Sequence, residues 1–251
     1  MNAIIVAAGM SKRLREFTAD RPKCMVDING KSLFDWQTET LSKSGISKIN
    51  VVVGYKKEWF MNNEYHYFEN KDFQNNNILH SLFYAEKAMD SGFLFSYSDI
   101  IYEGNIVKQM LSSAADIAVA ADTSWISHYE GRIEHPIEEA ELLFSEDGKT
   151  VSLIRKNADH EKAFGEFIGM AFFSERGAKV LISVFSELKE YYAKNPAKSF
   201  HTAKTFKQAY MTDMIQELVN RGYLVDIVGV SGRWAEIDTS WDLEVVRKKW
   251  K

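Results

Sequence analysis

The chain opens on an apolar run, Ala3-Ile4-Ile5-Val6-Ala7-Ala8, of the length of one buried strand, and Gly9 ends it. Ser32 to Ser44 reads as a helix with Gly45 as its stop. Lys48 to Val53 is the next strand, closed by Gly54. Tyr55 to Asn62 has a helical pattern, and Tyr65 to Phe68 is a short strand. Asn77 to Met89 reads as a helix with Ile78, Leu82, Ala85 and Met89 on one face, followed by a strand at Phe93 to Tyr97. This alternation predicts a mostly parallel sheet with helices on both faces. Right-handed crossovers then gather the strands' carboxyl ends on one rim.

The second half has a different rhythm. Short strands are predicted at Ile117 to Ala121, Ile137 to Phe144, Thr150 to Lys156 and Phe167 to Phe173, with Glu146-Asp147-Gly148-Lys149 as a hairpin turn. A helix runs from Glu175 to about Tyr192, and a polar loop from Asn195 to Lys204. Tyr210 to Arg221 is an amphipathic helix stopped by Gly222. Tyr223 to Val230 and Trp234 to Ile237 are strands, and Ser240 is the expected cap of a terminal helix. With three prolines and no repeat or linker, residues 1–251 read as one three-layer α/β domain. Residues 1–115 build the rim, and the mixed half, 116–251, lies over it as a lid.

Composition narrows the partners. The net charge of −4 argues against a broad nucleic-acid footprint, while basic residues near the N-terminus suit a small anion. The single cysteine, Cys24, excludes an internal disulfide framework and a multi-cysteine zinc site, and its surroundings suggest packing. That usage fits a reducing compartment, so a cytoplasmic location is expected. The N-terminal strand lacks a charged n-region, so no signal peptide is expected. No stretch approaches the roughly 18 apolar residues of a membrane span. A homo-oligomer is left open.

Gly9 closes a strand at a rim where open α/β sheets bind ligands. Lys12, Arg13 and the Arg21-Pro22-Lys23 tripeptide add positive charge, so this turn reads as a polyphosphate cradle. Asn29-Gly30-Lys31-Ser32 imitates the end of a P-loop, but Met25 stands where the motif requires glycine. It reads instead as an Asn-Gly turn followed by a Ser N-cap.

The pattern Ala7-Ala8-Gly9-x-x-x-Arg13-Leu14, followed by Pro22-Lys23, resembles the signature of the sugar-nucleotidyltransferase superfamily. The resemblance implies a Rossmann-like nucleotidyltransferase fold. Ala7, Ala8, Gly9, Met10, Ser11 and Lys12 would form the loop that holds a nucleoside triphosphate, with Arg13 and Lys23 on its phosphates. The chain departs from the pattern at Ser11, where a second glycine is usual, and at Lys12, where Ser or Thr is usual.

Asp99 follows the strand that ends at Tyr97, on the same rim as the loop, where a carboxylate can hold Mg²⁺. The family uses an aspartate there, often within D-x-D, of which this chain keeps one acid. By the same resemblance Asp238 is a second ligand. Glu236 alternates with it along a strand, so both face one side. Asn75-Asn76-Asn77 and Ser81 open a helix, and Asn77 and Ser81 are candidates for reading a base edge. The segments Tyr129 to Glu141, Gly165 to Gly169 and Tyr210 to Met214 resemble cytidylyltransferases acting on small phosphonates and phospho-alcohols. Arg132, His135, Lys156 and Glu166 then become candidates for holding the acceptor. Taken alone, His135 reads as structural, and Arg132 and Lys156 fit solvated charges equally well.

The resulting expectation is a Mg²⁺-dependent enzyme that moves CMP from CTP to a small phospho-acceptor and releases pyrophosphate. Phosphocholine, alkylphosphonate and phosphoglutamine types of acceptor all fit. No general base is needed, because a phosphate acceptor is already an oxyanion near neutral pH. Sugar-1-phosphate nucleotidyl transfer is the enzymatic alternative, and a non-catalytic nucleotide sensor the non-enzymatic one. A metal-dependent glycosyltransferase would show an intact D-x-D and lack the N-terminal loop pattern; this chain does the reverse.

Overall fold

A computed structural model describes residues 1–10, 13–60 and 63–251. In chain order the strands and helices are β1 (Asn2–Ala7), β2 (Asp27–Ile28), β3 (Lys31–Ser32), α1 (Leu33–Lys43), β4 (Lys48–Val53), β5 (His66–Glu69), α2 (Ile78–Leu82), β6 (Phe93–Tyr97), β7 (Ile100–Tyr102) and α3 (Gly104–Leu111). They continue as β8 (Ile117–Asp122), β9 (Leu142–Phe144), β10 (Leu153–Arg155), β11 (Gly165–Phe173), α4 (Glu175–Lys194), α5 (Met211–Asn220), β12 (Asp226–Gly229), β13 (Trp234–Glu236) and α6 (Ser240–Lys249).

β1 is central because both of its faces are apolar. Ile4, Val6 and Ala8 point into one core with Leu79 and Leu82 of α2, Leu181 and Phe185 of α4, and Met214 and Leu218 of α5. Ala3, Ile5 and Ala7 point into the opposite core with Phe34 and Leu41 of α1 and Ile106 and Met110 of α3. The fold is therefore the expected three-layer α/β architecture. The main sheet runs β10-β9-β11-β6-β1-β4-β5, with β8 joining β11 to β12. β6, β1, β4 and β5 are parallel, whereas β11 runs antiparallel to β6, β8 and β9. Both halves of the chain thus share one mixed sheet. Two smaller cores complete the molecule. One gathers Leu14, Val26, Ile28, Leu33, Ile237 and Leu243 under α6, and the other gathers Trp125, Tyr129, Ala140 and Leu142.

Several predicted elements have different bounds. Only Lys57–Trp59 of the 55–62 segment forms a helical turn, because Lys56 adopts a left-handed conformation (φ 51°) that no helix can continue; Met61 and Asn62 lie outside the described residues. The 77–89 helix is α-helical only to Leu82 and continues as a 3₁₀ turn, with Ala85 off helical geometry. Of 137–144, Ile137–Glu139 is a 3₁₀ turn begun by Pro136, and the strand starts at Leu142. The terminal helix is capped by Thr239 rather than Ser240, since Asp242 completes a capping box with Thr239. β7 and α3 are additions to the predicted set. By contrast, Asn29 and Gly30 form the expected turn (φ 57° and 90°), and Ser32 accepts the N–H of Asp35 as N-cap.

Gly169 lies where β11 breaks register against β8, between Phe167 and Ala171. Its φ is +82°, and a Cβ there would approach the Tyr97 ring to 2.5 Å. Gly169→Ala is therefore expected to lower the urea midpoint by an amount equivalent to about 2 kcal/mol, from left-handed strain and overpacking together. An unchanged midpoint would show that the bulge does not need glycine.

Candidate active site

Pairing geometry brings the distant acids together. Val6 at the end of β1 pairs with Tyr97 at the end of β6, so Gly9 and Asp99 leave the sheet on the same rim. β7 then pairs antiparallel with β13, placing Ile100 opposite Glu236, and the Ile237 N–H donates to the Asp99 carbonyl at 2.8 Å. Ile237 sinks into the small core beneath α6, so its neighbours Glu236 and Asp238 turn to the cavity. Asp242 fixes the chain just beyond. Its carboxylate accepts the N–H groups of Asp238 and Thr239 and the Thr239 hydroxyl.

A charge network fills the rim. Lys23 Nζ donates to Asp99 Oδ2 at 2.9 Å and makes a short contact with Asp238 Oδ1. Arg13 bridges Asp238 Oδ2 at 3.0 Å and Glu139 at 2.8 Å. His135 Nδ1 lies 2.8 Å from Asp238 Oδ2 and 3.6 Å from Glu236. Burial alone would push the Lys23 ammonium down, but the charges of Asp99, Asp238 and Glu236 reverse this and raise it. For Asp238, burial opposes ionisation, yet Lys23 and the His135 contact hold it well below the usual carboxylate range. Glu236 goes the other way: burial and the Asp238 charge raise it. One acid is thus held ionised and its neighbour is biased towards its neutral form.

The cavity measures about 440 Å³ and runs from the glycine turn to the β11 bulge. Gly9, Met10, Arg13, Lys23, Asn77, Ser81, Asp99, His135, Lys156, Glu166, Glu236 and Asp238, all candidates from the sequence, line it. Ala7 and Ala8 stand behind the lining as buried core residues. Ser11 and Lys12 lie outside the described residues.

Arg132 is a correction to the acceptor set. Its Nε and Nη2 bind Asp242 at 2.8 and 3.2 Å, and Nη2 also reaches Glu236 at 3.3 Å, so it braces the acids from behind instead of lining the cavity. Asn77 lines the cavity, but its side-chain oxygen caps α2 and its amide donates to the Gln208 carbonyl. The neighbouring Asn76, beside Ser81, is also part of the lining.

The far end holds groups that sequence reasoning did not single out. Tyr97 donates to Glu141 at 3.1 Å, and Lys156 lies 3.5 Å from Glu141 and 4.5 Å from the Tyr210 ring centre. Tyr129 donates to Glu166 in a short contact. Burial raises Glu141 and pushes Glu166 up to about 8 despite the Tyr129 bond. The Thr239-x-x-Asp242 spacing was the available signal for Asp242. Cys24 packs as expected, and burial pushes its thiol up to about 12.

The donor set suits a hard divalent ion. Asp99 Oδ1 is buried with no hydrogen-bond partner among the described residues, and the carboxylates of Glu236 and Asp238 face the same cavity. Ligand atoms of His135, Glu236 and Asp238 lie within 4.8 Å of one another, so an imidazole nitrogen is also at hand.

Comparison with known proteins agrees with this geometry. Residues 3–163 match the MobA-like NTP transferase domain. The chain is 32% identical to a CTP:phosphoglutamine cytidylyltransferase of Campylobacter jejuni, over 99% of this chain and 100% of that protein. It is 48% identical over 60 residues to the choline-phosphate cytidylyltransferase of Streptococcus pneumoniae, covering 24% of this chain and 26% of that one. A solved CTP:phosphocholine cytidylyltransferase from S. pneumoniae shares the fold with a TM-score of 0.73 at 21% identity, covering 100% of this chain and 99% of that one. With the glycine turn, Lys23 and the paired acids on one rim, the chain belongs to the MobA-like NTP transferase family.

Proposed function

We propose that this nucleotidyltransferase moves CMP from CTP to a small acceptor bearing a phosphate or phosphonate, with release of pyrophosphate and dependence on Mg²⁺. The observation that carries the reading is the meeting of Lys23, Asp99 and Asp238 beside the Gly9 turn. The full-length similarity to a CTP:phosphoglutamine cytidylyltransferase supports CTP as donor and a phosphoryl group as acceptor. Phosphocholine, alkylphosphonate and phosphoglutamine types remain the acceptors to compare.

The acceptor oxyanion attacks the α-phosphorus, a new P–O bond forms, and the bond to the bridging oxygen breaks with its electron pair leaving on pyrophosphate. A phosphomonoester has its second pKa near about 6, so the nucleophile needs no base at neutral pH. What it needs is charge neutralisation and in-line placement. Arg13 and Lys23 line the triphosphate side and would offset charge on the departing pyrophosphate. Asp99, Asp238 and Glu236 would hold Mg²⁺, which when bound supplies Lewis-acid neutralisation of phosphate oxygens. Residues 116–251 contribute the acceptor side. Lys156 and His135 offer positive or donor groups there, and Glu141, Glu166 and Tyr129 offer hydrogen bonds to the acceptor's other end.

Pyrophosphate release, measured for four nucleotides crossed with a panel of phospho-acceptors, tests the reading; turnover that ignores CTP would overturn it. Asp99→Asn and Asp238→Asn are each expected to lower kcat at least about 100-fold while the circular dichroism spectrum is retained. Unchanged rates would remove that residue from the metal site. Lys23→Ala should raise the KM for CTP, and an effect confined to acceptor saturation would reassign Lys23.

Glu166 gives a pH test. Its folded-state pKa of about 8 lies above the usual carboxyl value, so the native state holds the proton more tightly than the unfolded chain. The associated stability is complete below the unfolded value and is lost as pH rises through about 8. Glu166→Gln keeps an acceptor for Tyr129 and removes the titration. Its melting temperature relative to wild type should therefore rise between pH 5 and pH 8.5; a constant difference would contradict the buried-acid assignment.

A further inference from the structure

Behind the cavity lining sits an asparagine that none of the proposed roles uses. Asn70 follows β5, has no exposed surface, and is pinned to the sheet by its own N–H donating to the Val53 carbonyl at 2.8 Å. Its side-chain oxygen accepts the N–H of Asp72 at 2.9 Å. A backbone N–H can only donate, so this contact sets which way the Asn70 amide faces. The Asn70 nitrogen must then point at Ser81 and Asn76. It donates to Ser81 Oγ at 2.9 Å and to Asn76 Oδ1 at 2.8 Å. Asn76 returns one N–H to Asn70 Oδ1 at 3.2 Å.

These contacts set the polarity of two groups that line the cavity. Ser81 accepts from behind, so its hydroxyl proton is available on the other side; its only described acceptor is Asn76 Oδ1, at a long 3.3 Å. The carbonyl of Asn76 is drawn inward by Asn70, and one of its two N–H groups is left over. Both lining groups therefore offer donors. Cytosine carries adjacent acceptors at O2 and N3, whereas uracil carries an N–H at position 3. A donor pair held in this sense favours cytosine and meets a like donor in uracil.

We infer that Asn70 is a positioning residue for nucleobase selectivity: it locks Ser81 and Asn76 as hydrogen-bond donors and thereby favours CTP over UTP. The inference rests on the cytidylyltransferase reading and adds to it the residue that sets the choice of base. Asn70 itself touches neither nucleotide nor metal.

Asn70→Asp keeps the shape and turns the group facing Ser81 from donor to acceptor, which draws the Ser81 proton inward. Calorimetric binding of CTP and UTP, each with Mg²⁺, reads the effect without any acceptor or turnover. The CTP-over-UTP affinity ratio is expected to fall at least about tenfold, mainly through weaker CTP binding. A purely structural role would weaken both nucleotides alike and leave the ratio unchanged, which would overturn the inference. If Asn70→Asp does not fold, Ser81→Ala carries the same readout, because it removes the oriented hydroxyl and leaves the Asn70 turn intact; a retained ratio there is equally contrary. In a folded pair, the double variant should lower the ratio no further than Ser81→Ala alone. A wild type that binds CTP and UTP equally overturns both this inference and the cytidylyltransferase reading. A wild type that prefers CTP, with variants that keep the preference, overturns only the role of Asn70.

Discussion

Three carboxylates crowd one low-dielectric rim, and the ammonium of Lys23 is what lets them share it. Asp99 and Asp238 both contact Lys23, and Glu236 stands nearby as a third acid. Burying an ion costs several kcal/mol, whereas one pair at contact distance recovers only about 4 kcal/mol at an effective dielectric near 20. A single partner would leave Lys23 close to break-even. Two direct partners and a third nearby acid tip the balance, so the ammonium is raised and Asp238 stays ionised. Arg13 and His135 complete the compensation from the open and the closed side. The rim is thereby kept folded and charged, as the proposed exchange of Lys23 contacts for a polyphosphate and a divalent ion requires.

The fold holds these charges through short-range register. β1 and β6 deliver Gly9 and Asp99 to one rim, and the three-residue ribbon β7–β13 delivers Glu236 and Asp238 to the same place. Asp242 ties that ribbon to α6 and to Arg132, so the acids rest on a helix cap and a bidentate guanidinium. The Arg132 side chain is nearly fully buried, and its charge is taken up by Asp242 and Glu236. Ile237 pins the ribbon from below through the small core.

Much of this was legible in the chain. The apolar runs at 3–8 and 48–53 are buried sheet strands, and Gly45 and Gly222 stop their helices with positive φ. Asp99, Asp238 and Lys23 were visible as residue types in a recognisable pattern. Their convergence is implied by the resemblance, but its means are not readable locally, because it depends on β7, an Ile-Ile-Tyr stretch that looks like the tail of the preceding strand. Arg132 reads from the sequence as an acceptor candidate because a sequence shows a guanidinium but not the carboxylate that binds it. The 77–89 segment carried true helical periodicity, yet its helix tightens after Leu82, where Phe83 stacks on Phe185 of α4 at 3.4 Å. Tertiary packing of that kind has no local signature.

If Lys23 and a divalent ion compete for the carboxylates of Asp99 and Asp238, Mn²⁺ binding to the wild-type protein, followed by electron paramagnetic resonance with and without CTP, reads that competition most directly. Weak Mn²⁺ binding alone and at least about tenfold tighter binding with CTP is the expected result, since phosphates would draw Lys23 and Arg13 off the acids. Equally tight Mn²⁺ binding with and without the nucleotide would contradict the account.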